Sequence, residues 1–322
     1  MRPRSLYALT ALVLVTLAGP VTAQHYPTRP IRVIAPFAPG GGTDISARIL
    51  AEGLTKVLGQ TVVVYNRPGA GSTLGTDLAA KANPDGYTLL LGNISMAFNA
   101  ALYRKLPYNT IRDFAPISLV TDQPNILIGH PSLPARTLGD FVKLARSQPG
   151  KLTYGSAGNG SGTHLAMELL LMSQSMDLVH VPFKGTGVAL TALLGNQISV
   201  FFSTYASALP HVKADRLRAY GVTSAKRTST LPDVPTIAEQ GVHGYEYSTW
   251  YGLLAPAGVP RPIIDKLSKS TLAVLTTAEV KERYNAQGMD VVPNSPAEFA
   301  SLIKSEMEKW SKVVRAAKLE LL

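Results

Sequence analysis

The segment from Ile31 to Arg48 constrains the fold more than any other: an apolar run, a loop of proline and glycine, then an amphipathic helix. Ile31 to Ala35 reads as a buried strand. Pro36 to Gly42 breaks it, and Thr43 is placed to cap a helix with Asp44 in the first turn, where a negative side chain suits the helix dipole. Ile45, Ile49, Leu50, Leu54, Val57 and Leu58 recur at helical spacing, so the helix packs on a sheet by one face. Gly40, Gly41 and Gly42 let the backbone approach a ligand and leave N–H groups free at a helix N-terminus, a ready anion site. A tight strand-to-helix turn of any α/β protein has the same look, and both readings stand at this point.

The N-terminus reads as a leader rather than as part of the fold. Arg2 and Arg4 precede an apolar run from Leu6 to Ala18, and Val21-Thr-Ala23 fits a small-residue cleavage site, so residues 1–23 are expected to be removed and the mature chain to begin at Gln24 in the periplasm. The run is short for a membrane span, and no later stretch reaches the roughly 20 apolar residues a span requires. Cysteine is absent from the sequence, which excludes disulfides, thiolate metal sites and cysteine nucleophiles. The formal net charge is +10, and +8 without Arg2 and Arg4. The basic residues are scattered rather than clustered with aromatics, which argues against nucleic acid as a partner, while a positive surface draws small anions towards a cleft.

Strands and helices alternate along the first third. Thr61 to Tyr65 is a second strand, a helix runs from about Thr76 to Ala82, and Tyr87 to Leu91 is a third strand ending at Asn93. That is the pattern of a parallel sheet, which binds ligands at the carboxyl ends of its strands, where Ser72 and Asn93 fall. Phe114 to Val120 is a strand, Thr121 to Pro124 looks like a crossing to a second lobe, and the pattern restarts with a strand from Asn125 to Gly129. The expected lobes are 24–124 with 249–322, and 125–248. The loop from Gly155 to Thr163 repeats the logic of the first: small residues, free N–H groups and the hydroxyls of Ser156, Ser161 and Thr163 before a helix. Two such sockets facing across a cleft would hold a ligand with two anionic or polar ends. After Tyr245 to Leu254 the chain is mainly helical. Phe299, Leu302, Ile303, Met307, Trp310, Val313 and Val314 stripe the last helix.

Tests for catalytic chemistry come back negative. A dinucleotide-binding oxidoreductase is the natural rival, but the glycines here are consecutive, not G-x-G-x-x-G, and the second strand ends in Tyr65-Asn66 without an acid. No G-x-S-x-G elbow surrounds Ser72, Ser156 or Ser161. The six histidines form no H-x-x-x-H pair, so no metal is expected. His164 reads as a packed first-turn residue, Lys184 as a solvated loop lysine, Trp250 and Tyr251 as core or hinge packing, and Asp44 as a brace for its loop. No cofactor is expected.

Several motifs, in order, carry a family resemblance. They are Pro36-Phe37 with Gly40-Gly-Gly-Thr-Asp44, Asn66-Arg-Pro-Gly-Ala-Gly71, Pro84-Asp-Gly-Tyr-Thr88 and Leu106-Pro-Tyr108. They continue with Gly155-Ser-Ala-Gly158, His180-Val-Pro-Phe-Lys-Gly185, Leu231-Pro-Asp-Val-Pro-Thr236 and Ala255-Pro-Ala-Gly258. From about Tyr26 onward the chain resembles the Bug family, the substrate-binding receptors of tripartite tricarboxylate transporters. The resemblance implies a Venus-flytrap fold: two α/β lobes, each a mostly parallel sheet flanked by helices, joined by crossing strands. It implies that Phe37, Ala38, Gly41, Gly42, Thr43 and Asp44 on one side hold a ligand carboxylate with Ser156, Gly158, Ser161, Thr163 and His164 on the other. Lys184, Gly185, Ser203 and Thr204 approach the far end of the ligand. The implied ligand is a dicarboxylate, tricarboxylate, acidic amino acid or aromatic acid. The implied partners are the membrane subunits of a tripartite tricarboxylate transporter or a sensor protein, with the receptor itself a monomer. Tyr65 departs from the acid usual before Asn-Arg-Pro.

Overall fold

The computed structural model describes residues 26–316. The leader at residues 1–23 and the mature start at Gln24 lie outside the described residues. The first lobe opens with β1 (Ile31–Ala35), α1 (Gly42–Leu58), β2 (Val62–Asn66), α2 (Thr73–Ala80), β3 (Thr88–Asn93) and α3 (Ser95–Leu102). β1 lies between β2 and β3, parallel to both. Parallel neighbours with helices on the faces bury both sides of a strand, which is why every residue of β1 but Arg32 is buried. α1 ends where Gly59 takes a left-handed conformation (φ 67°) and its N–H reaches Thr55 O.

One strand then links the lobes. β4 (Phe114–Gly129) is continuous, where the sequence suggested two strands with a crossing between them. Pro116 and Pro124 cannot donate to a ladder, yet they do not end the strand. β4 shifts register against β9 (Ser248–Pro256) between Pro116 and Ser118 and again between Leu119 and Thr121, so Pro116 stands at an irregularity, while Pro124 stays in register opposite Ser248 at the end of the β9 pairing. Residues Phe114 to Pro124 pair with β9; residues Asn125 to Gly129 pair instead with β7 (Val200–Thr204) and β8 (Arg218–Val222). The change of sheet is pinned at Asn125, whose N–H donates to Thr223 Oγ1 (2.7 Å) and whose side-chain oxygen accepts from Thr249 Oγ1 (3.0 Å).

The second lobe comprises α4 (Leu138–Ser147), β5 (Thr153–Ser156), α5 (Gly162–Ser173), β6 (Val179–Pro182), α6 (Thr186–Leu194), β7, α7 (Tyr205–Lys213) and β8. β5 is parallel to β6 and β7, and the antiparallel contribution comes from β4. The chain returns along β9, antiparallel to β3 and β4, and finishes the first lobe with α8 (Arg261–Leu275), α9 (Ala278–Ala286), β10 (Asp290–Val291) and α10 (Pro296–Ala316). The sheets therefore run β2-β1-β3-β9-β4, with β10 on β4, and β6-β5-β7-β4-β8. The sequence placed the helices of the first lobe well except α3, which it missed.

Three apolar clusters hold this frame. One face of each lobe has its own, around Leu50, Leu253 and Tyr284 in the first and around Ile128, Phe201 and Leu209 in the second. The third runs through both lobes along the crossing strands, from Phe98 and Trp310 to Phe141 and Tyr220. Phe299, Ile303, Trp310 and Val314 of the expected stripe on α10 are buried in it, and Trp250 meets Phe299 edge to face at 5.6 Å. Each large apolar side chain so buried contributes about 1.5–3 kcal/mol. Among the described residues no helix is long and apolar enough to cross a membrane.

Candidate ligand-binding cleft

The carboxyl ends of β1, β3, β5 and β7 all point into the gap between the lobes, and α1 and α5 begin there, as do α6 at Thr186 and α7 behind its cap Thr204. α1 starts at Gly42 with Gly41 as its cap, not Thr43, and no side chain caps it. Thr43 sits inside the helix because Gly41 already has the extended conformation of a cap residue (φ −88°, ψ 166°). α5 starts at Gly162, capped by Ser161, whose Oγ accepts the His164 N–H. Both helix starts line one cavity. Its walls are Phe37, Gly41, Gly42, Thr43 and Asn93 from the first lobe, Ala157, Ser161, Gly162, Thr163, Thr186 and Thr204 from the second, and Thr249 and Tyr251 from crossing strand β9. The space free of protein atoms is about 310 Å³, counting what opens to solvent. None of these thirteen side chains carries a charge. The polar equipment is backbone N–H groups at positive helix ends, six threonine or serine hydroxyls, one amide and one phenol.

The lobes meet tightly around this cavity. The Gly42 N–H donates to Thr204 Oγ1 across the gap (3.3 Å), and the Gly162 N–H donates to Ser95 Oγ (3.2 Å). Each helix start thus takes a hydroxyl from the opposite lobe. The Ala38 N–H reaches Lys184 O (3.2 Å), and Ser207 Oγ donates to Gly40 O (3.0 Å). Beyond the cavity the loop after β2 touches the loop after β5: a Cβ on Gly71, which has φ +56°, would lie 1.9 Å from the backbone oxygen of Asn159. The cavity floor is braced too, since Gln123 Nε2 donates to the Tyr251 hydroxyl (2.7 Å) while its Oε1 accepts the Ala206 N–H (3.1 Å).

Of the residues singled out in the sequence, the structure brings Phe37, Gly41, Gly42, Thr43, Asn93, Ser161, Thr163 and Thr204 together in the cavity. The others fall elsewhere, each for a local reason. Asp44 turns back to its own loop, where its carboxylate accepts the Gly40 N–H (3.1 Å), Asn66 Nδ2 (3.0 Å) and the Arg48 guanidinium (2.9–3.0 Å). Burial acts to raise its pKa, but those hydrogen bonds and the Arg48 charge outweigh it and hold the carboxyl below its ordinary range. Ala38 lies outside the cavity, against Gly185, whose added Cβ would stand 2.8 Å from Ala38 N. Lys184 is exposed and contributes its carbonyl, not its ammonium. Ser203 precedes Thr204 on a strand, so the two side chains face opposite ways, and the Ser203 hydroxyl is taken by Thr204 O (3.0 Å). Ser72 accepts a long bond from Asn99 Nδ2 (3.5 Å) beside Gly71, and Gly158 packs on that same loop.

Ser156 and His164 belong to a buried stack behind the cleft. Ser156 Oγ lies 2.6 Å from His180 Nε2 and accepts the Gly158 N–H (3.1 Å). His180 is sandwiched between Tyr154 and His164, with ring centroids 4.7 and 4.3 Å away. Burial, and for His164 the adjoining His180, pushes these imidazoles down to about 3 (His164) and about 4 (His180), so both are neutral near pH 7. The Tyr154 hydroxyl donates to Glu168, closing the stack. Its role is to hold the Ser156–Ser161 loop in shape. Sequence reasoning missed Ala157, Gly162, Thr186, Thr249 and Tyr251. The first two could have been read from the second Gly-rich loop, whereas nothing near Thr249 or Tyr251 in sequence signals a site.

Two α/β lobes, crossing strands and an uncharged cleft at two helix starts define a two-lobed solute-binding receptor. The profile of the tripartite tricarboxylate transporter family receptor matches residues 46–319, and the chain belongs to that family. It is 36% identical over 301 residues to protein BugT of Bordetella pertussis, spanning 93% of this chain and 92% of BugT. Among solved structures, periplasmic binding protein BugD superposes with a TM-score of 0.90 at 35% identity, covering 92% of this chain and all of BugD. MatC from Rhodopseudomonas palustris with bound malate gives 0.86 at 35%, covering 90% of this chain and all of MatC. Rpa4515 of R. palustris with adipate gives 0.89 at 32%, covering 92% and 100%.

Proposed function

We propose that the protein is a periplasmic receptor, exported through a cleaved leader, that binds a small carboxylate between its lobes and hands it to the membrane subunits of a tripartite tricarboxylate transporter or to a sensor. The ligand class is a small dicarboxylate, tricarboxylate, acidic amino acid or aromatic acid. The lobes are residues 24–124 with 249–322, and 125–248, and the receptor acts as a monomer. The observation that carries this reading is the meeting of two helix starts in one cleft without a charged side chain. A carboxylate there is held by N–H groups whose dipoles are fixed in place, each charge-assisted bond contributing about 1.5–3 kcal/mol. Malate and adipate, bound by the related MatC and Rpa4515, support a carboxylate of that size. The cleft offers no acid or base side chain to move a proton, which supports binding over turnover. Screening malate, adipate, citrate, glutamate and benzoate by thermal shift tests it. One or more should raise the melting temperature by mass action, about 2.7 kcal/mol at a hundredfold excess over the dissociation constant, and be recovered unchanged. Chemical conversion of the stabilising acid would refute the reading.

A further inference from the structure

A second cavity lies behind the hinge, between the crossing strands and α10, about 570 Å³ counting its mouth. Asp122 of β4 and Trp250 of β9 are cross-strand partners, so their side chains stand side by side on its floor. Among the described residues Asp122 Oδ1 finds no donor and Trp250 Nε1 finds no acceptor, although Trp250 is only 4% exposed. A bare acceptor beside a bare donor, both buried, costs stability unless something in the cavity pairs with each.

The remaining walls say what that partner is. Trp310 and Leu302 supply apolar surface. Glu306 accepts the Trp310 indole N–H (2.8 Å), and Lys309 Nζ lies 3.8 Å from Glu306 and 5.0 Å from the Trp310 ring centre. Asp290 opposes Asp122 across the β10–β4 ladder. Asp290 lies outside the lining, so two carboxylates against one ammonium leave the cavity negative, and two indoles add faces that attract a cation. The geometry points to a second ligand site, separate from the cleft, for a small primary ammonium compound bearing an oxygen acceptor two or three bonds away. Its ammonium donates to Asp122 Oδ1 and its oxygen accepts from Trp250 Nε1. The site sits on the strands that join the lobes, so occupancy stiffens the hinge.

The protein has two tryptophans, and both line this cavity. In ¹⁵N-labelled protein their indole N–H signals report on it alone among side chains, and Trp250→Phe assigns them. Ethanolamine, titrated at constant ionic strength and pH 7.5, should move the Trp250 signal to saturation. Ethylamine, which lacks the oxygen, should bind at least several-fold more weakly. Asp122→Asn should weaken the response tenfold or more, and Glu306→Gln should weaken it in the same direction, with folding followed by circular dichroism. Burial raises the Asp122 carboxyl to about 6, with Ser248 and the Gln123 backbone opposing and Asp290 and Glu306 adding to the rise. The response should therefore fade between pH 7 and 5. An indole signal that does not move saturably, so that the cavity holds only solvent, would overturn the assignment. So would a response of equal strength in Asp122→Asn.

Discussion

Replacing Gly71 by alanine should separate binding from folding, because the obstacle it creates exists only when the lobes are together. The new Cβ would stand 1.9 Å from the Asn159 oxygen, a backbone atom of the other lobe that cannot rotate away. Ordinary carbon–oxygen contact begins near about 3.3 Å, so the loops must part by about 1.4 Å. The bonds across the gap are already at 3.0 to 3.3 Å: Gly42 to Thr204, Gly162 to Ser95, Ala38 to Lys184 and Ser207 to Gly40. A displacement of that size carries the nearest of them beyond hydrogen-bonding range. Losing two costs about 1–3 kcal/mol, hence about 5- to 150-fold in affinity. Alanine at φ +56° adds about 1–2 kcal/mol of strain. That strain is present with the lobes apart or together, so it lowers the melting temperature by a few degrees without entering the affinity. Calorimetry with the acid found by thermal shift gives the affinity, and small-angle scattering with and without it gives the compaction. Affinity within twofold of wild type together with the normal compaction would refute the reasoning.

Other perturbations sort the cleft from its supports. Gly42→Val puts a Cβ 2.4 Å from both Gln123 Nε2 and the Tyr251 hydroxyl and should abolish detectable binding in calorimetry, whereas Lys184→Ala should stay within about threefold because only the Lys184 carbonyl is used. Asp44 has a lowered pKa, so its stabilisation is present above the unfolded value and lost as pH falls through the folded one. Asp44→Asn should melt below wild type at pH 7, and the gap should close as pH falls below about 4. His164 and His180 also have folded values below the unfolded one, so between about pH 6.5 and 4 the unfolded chain takes up protons that the folded chain refuses. The melting temperature should fall across that window, and His180→Gln should flatten the fall.

Local sequence made the strands, the first loop and its partner at Ser161 legible, because Gly-rich loops after apolar runs have few other conformations open to them. It misplaced the cap because three consecutive glycines give no side chain from which to read where a helix begins; Gly41 takes the role on backbone geometry alone. It missed α3 because that helix is buried nearly all round, from Ser95 to Leu102, and so shows no polar stripe. Strand alternation decides between adjacent hydroxyls: Thr204 faces the cleft and Ser203 does not, a distinction that needs the register of β7. Thr249 and Tyr251 reach the site only because β9 crosses beside β4, a pairing between residues more than a hundred positions apart. His164 and Ser156 sit in the right loop, but the stack with Tyr154 and His180 draws them behind the surface that a ligand would touch.

Native mass spectrometry of the protein, freshly purified from its producing cells, tests the central claim most directly. The account predicts a one-to-one adduct with the mass of a small organic acid. That adduct should be lost on denaturation and restored by adding the same acid, and Gly42→Val should not carry it. A nucleotide or metal adduct in its place would contradict the account, as would a protein that takes up none of the acids in the panel.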